Sequence, residues 1–329
     1  MMPLTEILRD RRVVFFGGKG GVGKTTLSSA TALALARAGQ RVLLVSTDPA
    51  HNLGHLWERA VGDAEVMLWE GAGTGRVSGT ELDPDRVARE HLEAVGRTVK
   101  GLMPEHLHRE VDRYFQLARQ SPGTQEAALL EKMSTTVLEA SERFDVVVLD
   151  TAPTGHTARL LELPTLMSAW TDGLLSRREK TERFSDALRG LDGPRRRGRG
   201  RSAQEVRDGE IRRVLEQRQR LFGDMRRLLA DAATTAFVMV LTAERMPVQE
   251  TLALHGQLRA TGVDPAALVV NRRSPQDAGE FLARRHEAEG GHLRVLTAGL
   301  PEVPLVELPL LSGEVTGLEA IGRFADLLA

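Results

Sequence analysis

The feature of the sequence that most restricts its fold is a glycine-rich segment near the N-terminus, Gly18-Lys-Gly-Gly-Val-Gly-Lys-Thr25. It follows a short apolar run, Arg12–Gly17, that is typical of a buried parallel strand, and it precedes a helical pattern over residues 24–38. Its spacing matches G-x-x-x-x-G-K-S/T, in which glycines let backbone N–H groups approach phosphate oxygens. The segment therefore predicts a phosphate-binding loop rather than a chance glycine-rich turn.

The chemistry of such a loop assigns roles to its side chains. We expect Lys24 to bridge the β- and γ-phosphates of ATP and the Thr25 hydroxyl to ligate Mg²⁺. The helix that begins at Lys24 adds the positive end of its dipole to the anion site. The residues that we expect to contact the nucleotide through this loop are Gly18, Lys19, Gly20, Gly21, Val22, Gly23, Lys24, Thr25 and Thr26.

Acidic residues follow two further strand patterns. Asp150 ends the apolar run Asp145–Asp150, where a Walker B carboxylate would act on Mg²⁺ directly or through water. Asp48 comes just after the strand pattern Arg41–Ser46, and a carboxylate there can orient or deprotonate the attacking water. In open α/β sheets ligands bind at the carboxyl ends of the strands, so we expect both acids at one site.

The order of the remaining patterns predicts the fold class. Strand-like runs at 236–241 and 267–271 enclose a helical pattern at about 247–261, and such alternation indicates an α/β fold with a mostly parallel sheet flanked by helices. Two stretches, approximately 84–142 and 164–233, are helical in character. We expect residues 1–329 to form a single P-loop ATPase domain, with a helical subdomain formed by these two insertions.

Composition excludes several classes of function. The chain has 329 residues, a net charge of −1 and no cysteine, so disulfides, thiolate metal sites and thiol catalysis are ruled out. No apolar run approaches the roughly 18 residues of a membrane span and no signal peptide is visible, which makes the cytoplasm the expected location. No aromatic residues accompany the basic run Arg195–Arg201, so we expect no sequence-specific nucleic-acid binding. The run suggests a loop, or peripheral contact with anionic lipid.

Three motifs together resemble one family. They are Lys19-Gly-Gly-Val-Gly-Lys-Thr-Thr26, Ser46-Thr-Asp-Pro-Ala-His-Asn-Leu53 and Asp150-Thr-Ala-Pro-Thr-Gly-His-Thr157. They are similar to those of the ArsA family of ATPases, SIMIBI-type P-loop NTPases with a deviant Walker A motif. That family includes the arsenite-pump ATPase and the GET-pathway factor that targets tail-anchored membrane proteins. The resemblance covers residues 11–327, and MinD and ParA are more distant relatives.

The resemblance implies further site residues and a mode of action. Asn52, Glu244, Asn271 and Pro309 fall where family members contact the nucleotide, and Pro309 begins a segment resembling the loop that closes over adenine. The implied working unit is a homodimer that closes when it binds ATP. In that dimer Lys19 would reach the phosphates of the partner subunit, and Asp48 would position the attacking water.

The resemblance leaves the client open. Arsenite is thiophilic and family zinc sites use cysteine pairs, so a chain without cysteine is expected to bind neither ion well. The favoured client is a hydrophobic, tail-anchored-type segment of a membrane protein. An ATPase that energises arsenite or anion efflux, and a nucleotide-gated scaffold like MinD or ParA, remain alternatives. Candidate apolar residues of a client groove, which could equally be core residues, are Leu102, Met103, Leu166, Met167, Leu174 and Leu175.

Overall fold

A computed structural model describes residues 2–48, 52–102, 105–118, 123–151 and 203–329 of the chain. It contains an eight-stranded sheet in the order β3-β4-β2-β5-β1-β6-β7-β8. The strands are β1 Val13–Gly18, β2 Arg41–Ser46, β3 Val66–Glu70, β4 Arg76–Glu81, β5 Val146–Asp150, β6 Thr235–Thr242, β7 Pro265–Arg273 and β8 Leu305–Pro309. All neighbouring pairs are parallel except β3 and β4, which confirms the predicted fold class.

Helices flank this sheet. They are α1 Leu4–Ile7, α2 Lys24–Arg37, α3 Asn52–Trp57, α4 Pro84–Leu102, α5 His108–Ala118, α6 Thr124–Ala140, α7 Ala203–Ala230, α8 Arg245–Ala260, α9 Glu280–Gly299 and α10 Gly317–Ala325, with a 3₁₀ turn at Glu105–Leu107. Within the described residues no helix is long and apolar enough to cross a membrane.

The central strand β1 explains why the sheet is buried on both sides. Each of its residues is buried, and successive side chains point to opposite faces. Val13 and Phe15 belong to one core, which includes residues of α4 and α6 to α9, whereas Val14 and Phe16 belong to the other, with α1 to α3 and α10. Two cores on one sheet require apolar side chains at every position of a central strand, as the run in the sequence shows.

The strand order also fixes where a site can form. From β1 the chain crosses over β5 to reach β2 on one side of the sheet, whereas β6, β7 and β8 extend the other side. This change of direction opens a crevice at the carboxyl ends of the central strands. Gly18, Ser46 and Asp150, the last residues of β1, β2 and β5, lie at this edge.

The strands β3, β4 and β8 and the helix α9 were not predicted from periodicity. In β4, for example, the sequence Arg76-Val-Ser-Gly-Thr-Glu81 is mostly polar, yet five of its six residues are buried in a strand that pairs with β2 on one edge and β3 on the other. Such a strand owes its burial to its neighbours rather than to its own apolar pattern.

The structure describes most of the first helical stretch but only residues 203–233 of the second. Helices α4, α5 and α6 lie between β4 and β5, and α7 precedes β6. Residues 152–202 lie outside the described part of the chain. The stretch 152–202 contains most of the third motif, the basic run Arg195–Arg201 and the candidate groove residues from Leu166 to Leu175. Met103 and the side chain of Leu102 are also outside it.

Candidate functional site

The glycine-rich loop has the backbone that its sequence predicts. Gly23 precedes α2 with φ +96°, a conformation that favours glycine. A Cβ atom on Gly23 would lie 2.4 Å from Nδ2 of Asn271, and one on Gly18 would lie 2.1 Å from the carbonyl oxygen of Val240. These close approaches pack the loop against the ends of β6 and β7, so its shape depends on the sheet as well as on its own residues.

Lys24 begins α2 and lies inside the loop. Its side chain is largely buried, and its ammonium group donates a hydrogen bond of 3.1 Å to the carbonyl oxygen of Lys19. Burial lowers the pKa of Lys24, while the negative charges of Asp150 and Asp48 act in the opposite direction. The ammonium group therefore lies within the field of both acids that follow the strand patterns in the sequence.

Asp150 is fully buried at the end of β5. Neither carboxylate oxygen makes a hydrogen bond of regular geometry in the described part of the chain. Burial raises the pKa of Asp150 to about 7, although the nearby Thr25 hydroxyl and the charge of Lys24 pull it down. A buried carboxylate that makes no regular hydrogen bond and lies beside a hydroxyl offers oxygen ligands that fit Mg²⁺.

Apart from such a site, no cluster of three or more His, Asp or Glu side chains suitable for a metal occurs in the described ranges. A Mg²⁺ ion held by one hydroxyl, one carboxylate and oxygen atoms of a phosphate ligand does not require such a cluster. The residues present therefore fit an ion that binds together with its phosphate ligand.

A cavity of about 460 Å³ lies over the start of α2. Asp48 lines it, and His55, Arg272 and Thr316 close it from other elements. The loop contributes Gly20, Gly21, Gly23, Lys24, Thr25 and Thr26 to its wall. We refer to this space as the phosphate cavity, since it brings together the loop, Lys24 and Asp48 as the sequence predicts.

A second cavity, of about 540 Å³, lies on the other side of the loop tip. Lys19, Val22 and Glu244 line this neighbouring cavity and do not line the phosphate cavity. Glu244 forms an ion pair of 3.0 Å with Arg285. Pro309, at the exposed end of β8, lines neither cavity. The residues that the resemblance implies as nucleotide contacts therefore do not all line the same cavity.

Asn271 is buried behind the loop. Its side-chain amide donates to the carbonyl oxygen of Val22 at 2.9 Å, and its side-chain oxygen accepts from the backbone N–H of Arg272 at 2.9 Å. This geometry ties the loop to the end of β7. Asn52 begins α3, and its side chain lies outside the described residues.

Glu81 lies beside the site and has a role that its sequence position does not reveal. It is buried at the end of β4, and its Oε1 accepts a hydrogen bond of 2.9 Å from the backbone N–H of Leu53. This bond holds the start of α3 beside the cavity, and the charge of Glu81 adds to the rise in the Asp150 pKa. The signals in the sequence are an acid at the end of a strand and the segment Glu81-Leu-Asp-Pro84, which resembles a strand-end segment of the family.

Comparison with known proteins places the chain in a family. The model of the ArsA ATPase family, described as anion-transporting ATPase, matches residues 11–329. A protein of Aquifex aeolicus, provisionally named arsenical pump-driving ATPase 2, is 31% identical over 320 residues, which cover 96% of this chain and 99% of that protein. ATPase get3 of Aspergillus niger is 31% identical over 330 residues, covering 96% and 90% of the two chains.

The arsenical pump-driving ATPase of Escherichia coli is 31% identical over 313 residues, which make up 94% of this chain but 48% of that protein. The chain thus spans about half the length of this relative and nearly all of the other two. The family match agrees with the phosphate loop and with the sheet that carries it. The chain belongs to the ArsA family of anion-transporting ATPases and is an ATP hydrolase.

Proposed function

We propose that the phosphate cavity binds ATP with Mg²⁺ and that ATP switches a homodimer between states that hold and release a hydrophobic segment of a membrane protein. The observation that carries the nucleotide assignment is the buried carboxylate of Asp150, which lacks a donor and lies beside Thr25 and Lys24. Such a carboxylate is costly in an apolar interior unless a cation accompanies the ligand.

In this proposal Thr25 and Asp150 hold Mg²⁺, directly or through water, and the ion neutralises charge on the β- and γ-phosphates. The backbone N–H groups of the loop and the ammonium group of Lys24 bind the phosphate oxygens and stabilise the charge that develops during transfer. Asp48 orients the attacking water and accepts a proton from it. Phosphoryl transfer needs this positioning more than covalent chemistry.

The position of Lys19 supports the homodimer. Lys19 lines the neighbouring cavity rather than the phosphate cavity, and its side chain is 36% exposed. A lysine so placed lies outside the space in which its own loop would bind phosphates, and it can reach the nucleotide of a second copy of the chain once it leaves its ion pair with Glu250. In the proposed closed dimer it contributes positive charge to the nucleotide of the partner, which makes hydrolysis depend on dimer closure.

A small apolar cavity supports a hydrophobic client. It has a volume of about 280 Å³ and lies between α4 and α5. The residues that line it are Val99, Leu107, Glu110, Val111, Tyr114 and Phe115. Of these, Tyr114 is 68% exposed, and nearby Leu117 is 63% exposed. Exposed aromatic and aliphatic side chains around a cavity are typical of surfaces that bind apolar helices.

Arsenite transport is the main alternative, because relatives in the family carry that name. The chain has no cysteine, so a soft thiophilic ion would find only harder ligands. A binding assay and an ATPase assay distinguish the two functions. If the client is a hydrophobic segment, the protein should form a complex with a tail-anchor peptide in the presence of nucleotide. Its ATPase activity should not be activated by arsenite or antimonite. Strong activation by either metalloid would refute the proposal.

A double substitution tests whether the surface around the small apolar cavity binds the peptide. Tyr114→Ser together with Leu117→Ser should reduce peptide binding and leave basal ATPase activity unchanged, because both side chains are remote from the phosphate loop in sequence and line no part of the phosphate cavity.

A scaffold like MinD or ParA would instead bind liposomes or DNA when ATP is present. Co-sedimentation with and without ATP tests that third possibility.

A further inference from the structure

Arg272 has an unusual backbone for its residue type. It lies in β7, one residue before the strand ends, with φ +60°. This is the left-handed region, which residues with a side chain rarely adopt. The pairing of β7 with β8 is irregular between Val270 and Arg273, and an irregularity of this kind redirects a side chain out of the regular sheet pattern.

The residues on both sides hold Arg272 in this conformation. Asn271 accepts a hydrogen bond from its backbone N–H at 2.9 Å while bonding to the loop. Arg273 is buried and forms ion pairs of 2.6 Å with Glu289 and with Glu307. Strained backbone that neighbouring contacts enforce in this way is concentrated at functional sites.

Arg272 lies where the two cavities adjoin. It lines both of them, together with Gly20 and Gly21 at the tip of the loop. In the described part of the chain its guanidinium group has no hydrogen bond or ion pair. By contrast, Arg273, the next residue in the chain, and Arg285, which lines the neighbouring cavity, are both paired with glutamates. An unpaired guanidinium on the wall of a phosphate cavity has the geometry and charge to bind a phosphate oxygen.

We infer that Arg272 is a nucleotide-binding residue whose guanidinium group contacts the phosphate chain of the bound nucleotide. This inference rests on the proposed function, because it requires a nucleotide in the phosphate cavity. Lys24 approaches the phosphates from the loop, and Arg272 approaches them from the end of β7. The left-handed backbone places Arg272 in the wall of the cavity, where its unpaired guanidinium group can turn toward a phosphate oxygen.

The test uses variants that tolerate the left-handed backbone. Glycine and asparagine adopt positive φ more readily than arginine, so Arg272→Gly and Arg272→Asn should fold with unchanged or higher thermal stability. Arg294→Gln is the control: Arg294 is an exposed arginine of α9 that lines neither cavity. The Kd values of Mg-ATP, Mg-ADP and adenosine are measured for each protein by calorimetry.

Both Arg272 variants should bind ATP and ADP about 10- to 100-fold more weakly than the wild type, the loss expected for a charge-assisted hydrogen bond. Adenosine affinity should not change, and Arg294→Gln should match the wild type throughout. Unchanged ATP affinity, or an equal loss for adenosine, would overturn the inference. If the wild type itself bound no ATP, the proposed function would fail first, and this result is distinct from an unaffected Arg272 variant.

Discussion

The ammonium group of Lys19 lies 2.9 Å from Oε1 of Glu250 in α8, so the first lysine of the phosphate loop is paired within its own subunit. Both side chains are 36% exposed. Lys19 must leave this partner before it can reach the nucleotide of a second subunit. The pair is weak enough to break, since exposed ion pairs contribute about 0–1 kcal/mol.

Removal of the Lys19 side chain should separate binding from turnover. Because Lys19 lies outside the wall of the phosphate cavity, Lys19→Ala is expected to change the Kd for ATP of the monomer by less than about threefold. Turnover should fall at least about tenfold, because charge stabilisation from the partner is lost. Steady-state kinetics and nucleotide titration measure both quantities, and wild-type turnover in the variant would remove Lys19 from the reaction.

Neutralising the partner of Lys19 should have the opposite effect. Glu250→Gln frees the ammonium group, so ATPase activity at low protein concentration is expected to rise, by no more than about fivefold given the strength of such pairs. Asp264→Asn, which weakens the exposed 3.5 Å pair between Arg259 and Asp264, is the matched control. An equal rise in both variants would show a general effect of surface charge.

Asp48→Asn should leave nucleotide binding nearly intact and reduce turnover by about 10²- to 10⁴-fold. The amide keeps the size of the side chain but cannot accept a proton from the attacking water. Single-turnover hydrolysis and a binding titration on the same preparation provide the comparison. Undiminished turnover would show that another group handles the water.

The raised pKa of Asp150 predicts a specific pH dependence of stability. Because its folded-state pKa of about 7 exceeds the ordinary value of 3.8, the folded protein holds a proton that the unfolded chain releases, and stability is lost as the pH rises between these values. Asp150→Asn removes this loss. The difference in free energy of unfolding, variant minus wild type, should therefore grow by about 2–3 kcal/mol between pH 5 and pH 8.

Urea unfolding of the nucleotide-free proteins in the absence of Mg²⁺ measures this difference at the two pH values. A difference that does not change with pH would place the Asp150 pKa near its ordinary range. The same variant should lose Mg²⁺-dependent hydrolysis if Asp150 acts on the ion as proposed.

Gly23→Ala should abolish nucleotide binding because the new methyl group would meet Nδ2 of Asn271 at 2.4 Å in a backbone with φ +96°. Gly21→Ala is the matched control: its φ is +81°, but nothing lies within 4 Å of the added atom. Both variants carry backbone strain and only one has the clash. Equal loss of affinity in both variants would show that the clash with Asn271 is not what prevents binding.

Most of the phosphate loop could be predicted from local sequence. The glycines, Lys24 and Thr25 lie within eight consecutive residues, and the flanking strand and helix have strong apolar patterns. Asp48 and Asp150 could be placed at the same edge because each ends a run of apolar residues, and parallel strands bring such ends together. These predictions required only periodicity and the order of the elements.

The contacts between distant elements could not be predicted in this way. No motif shows what Glu81 and Glu250 contact, because their partners are remote in the chain: Leu53 for Glu81, and Lys19 for Glu250. Arg272 carries no motif of its own. The polar strand β4 and the edge strand β8 were missed for the same reason, since neighbouring strands determine their burial.

By itself, the sequence determined that this protein has a parallel α/β sheet, a phosphate loop between a strand and a helix, and two acids at the adjoining strand ends. Only the tertiary structure decided how these groups are charged and partnered. It buries Asp150 without a donor, pairs Lys19 with Glu250, and holds Arg272 unpaired between two cavities. The physical reason is that motifs follow from residues close in the chain. Burial and electrostatic pairing depend instead on which elements the fold brings together.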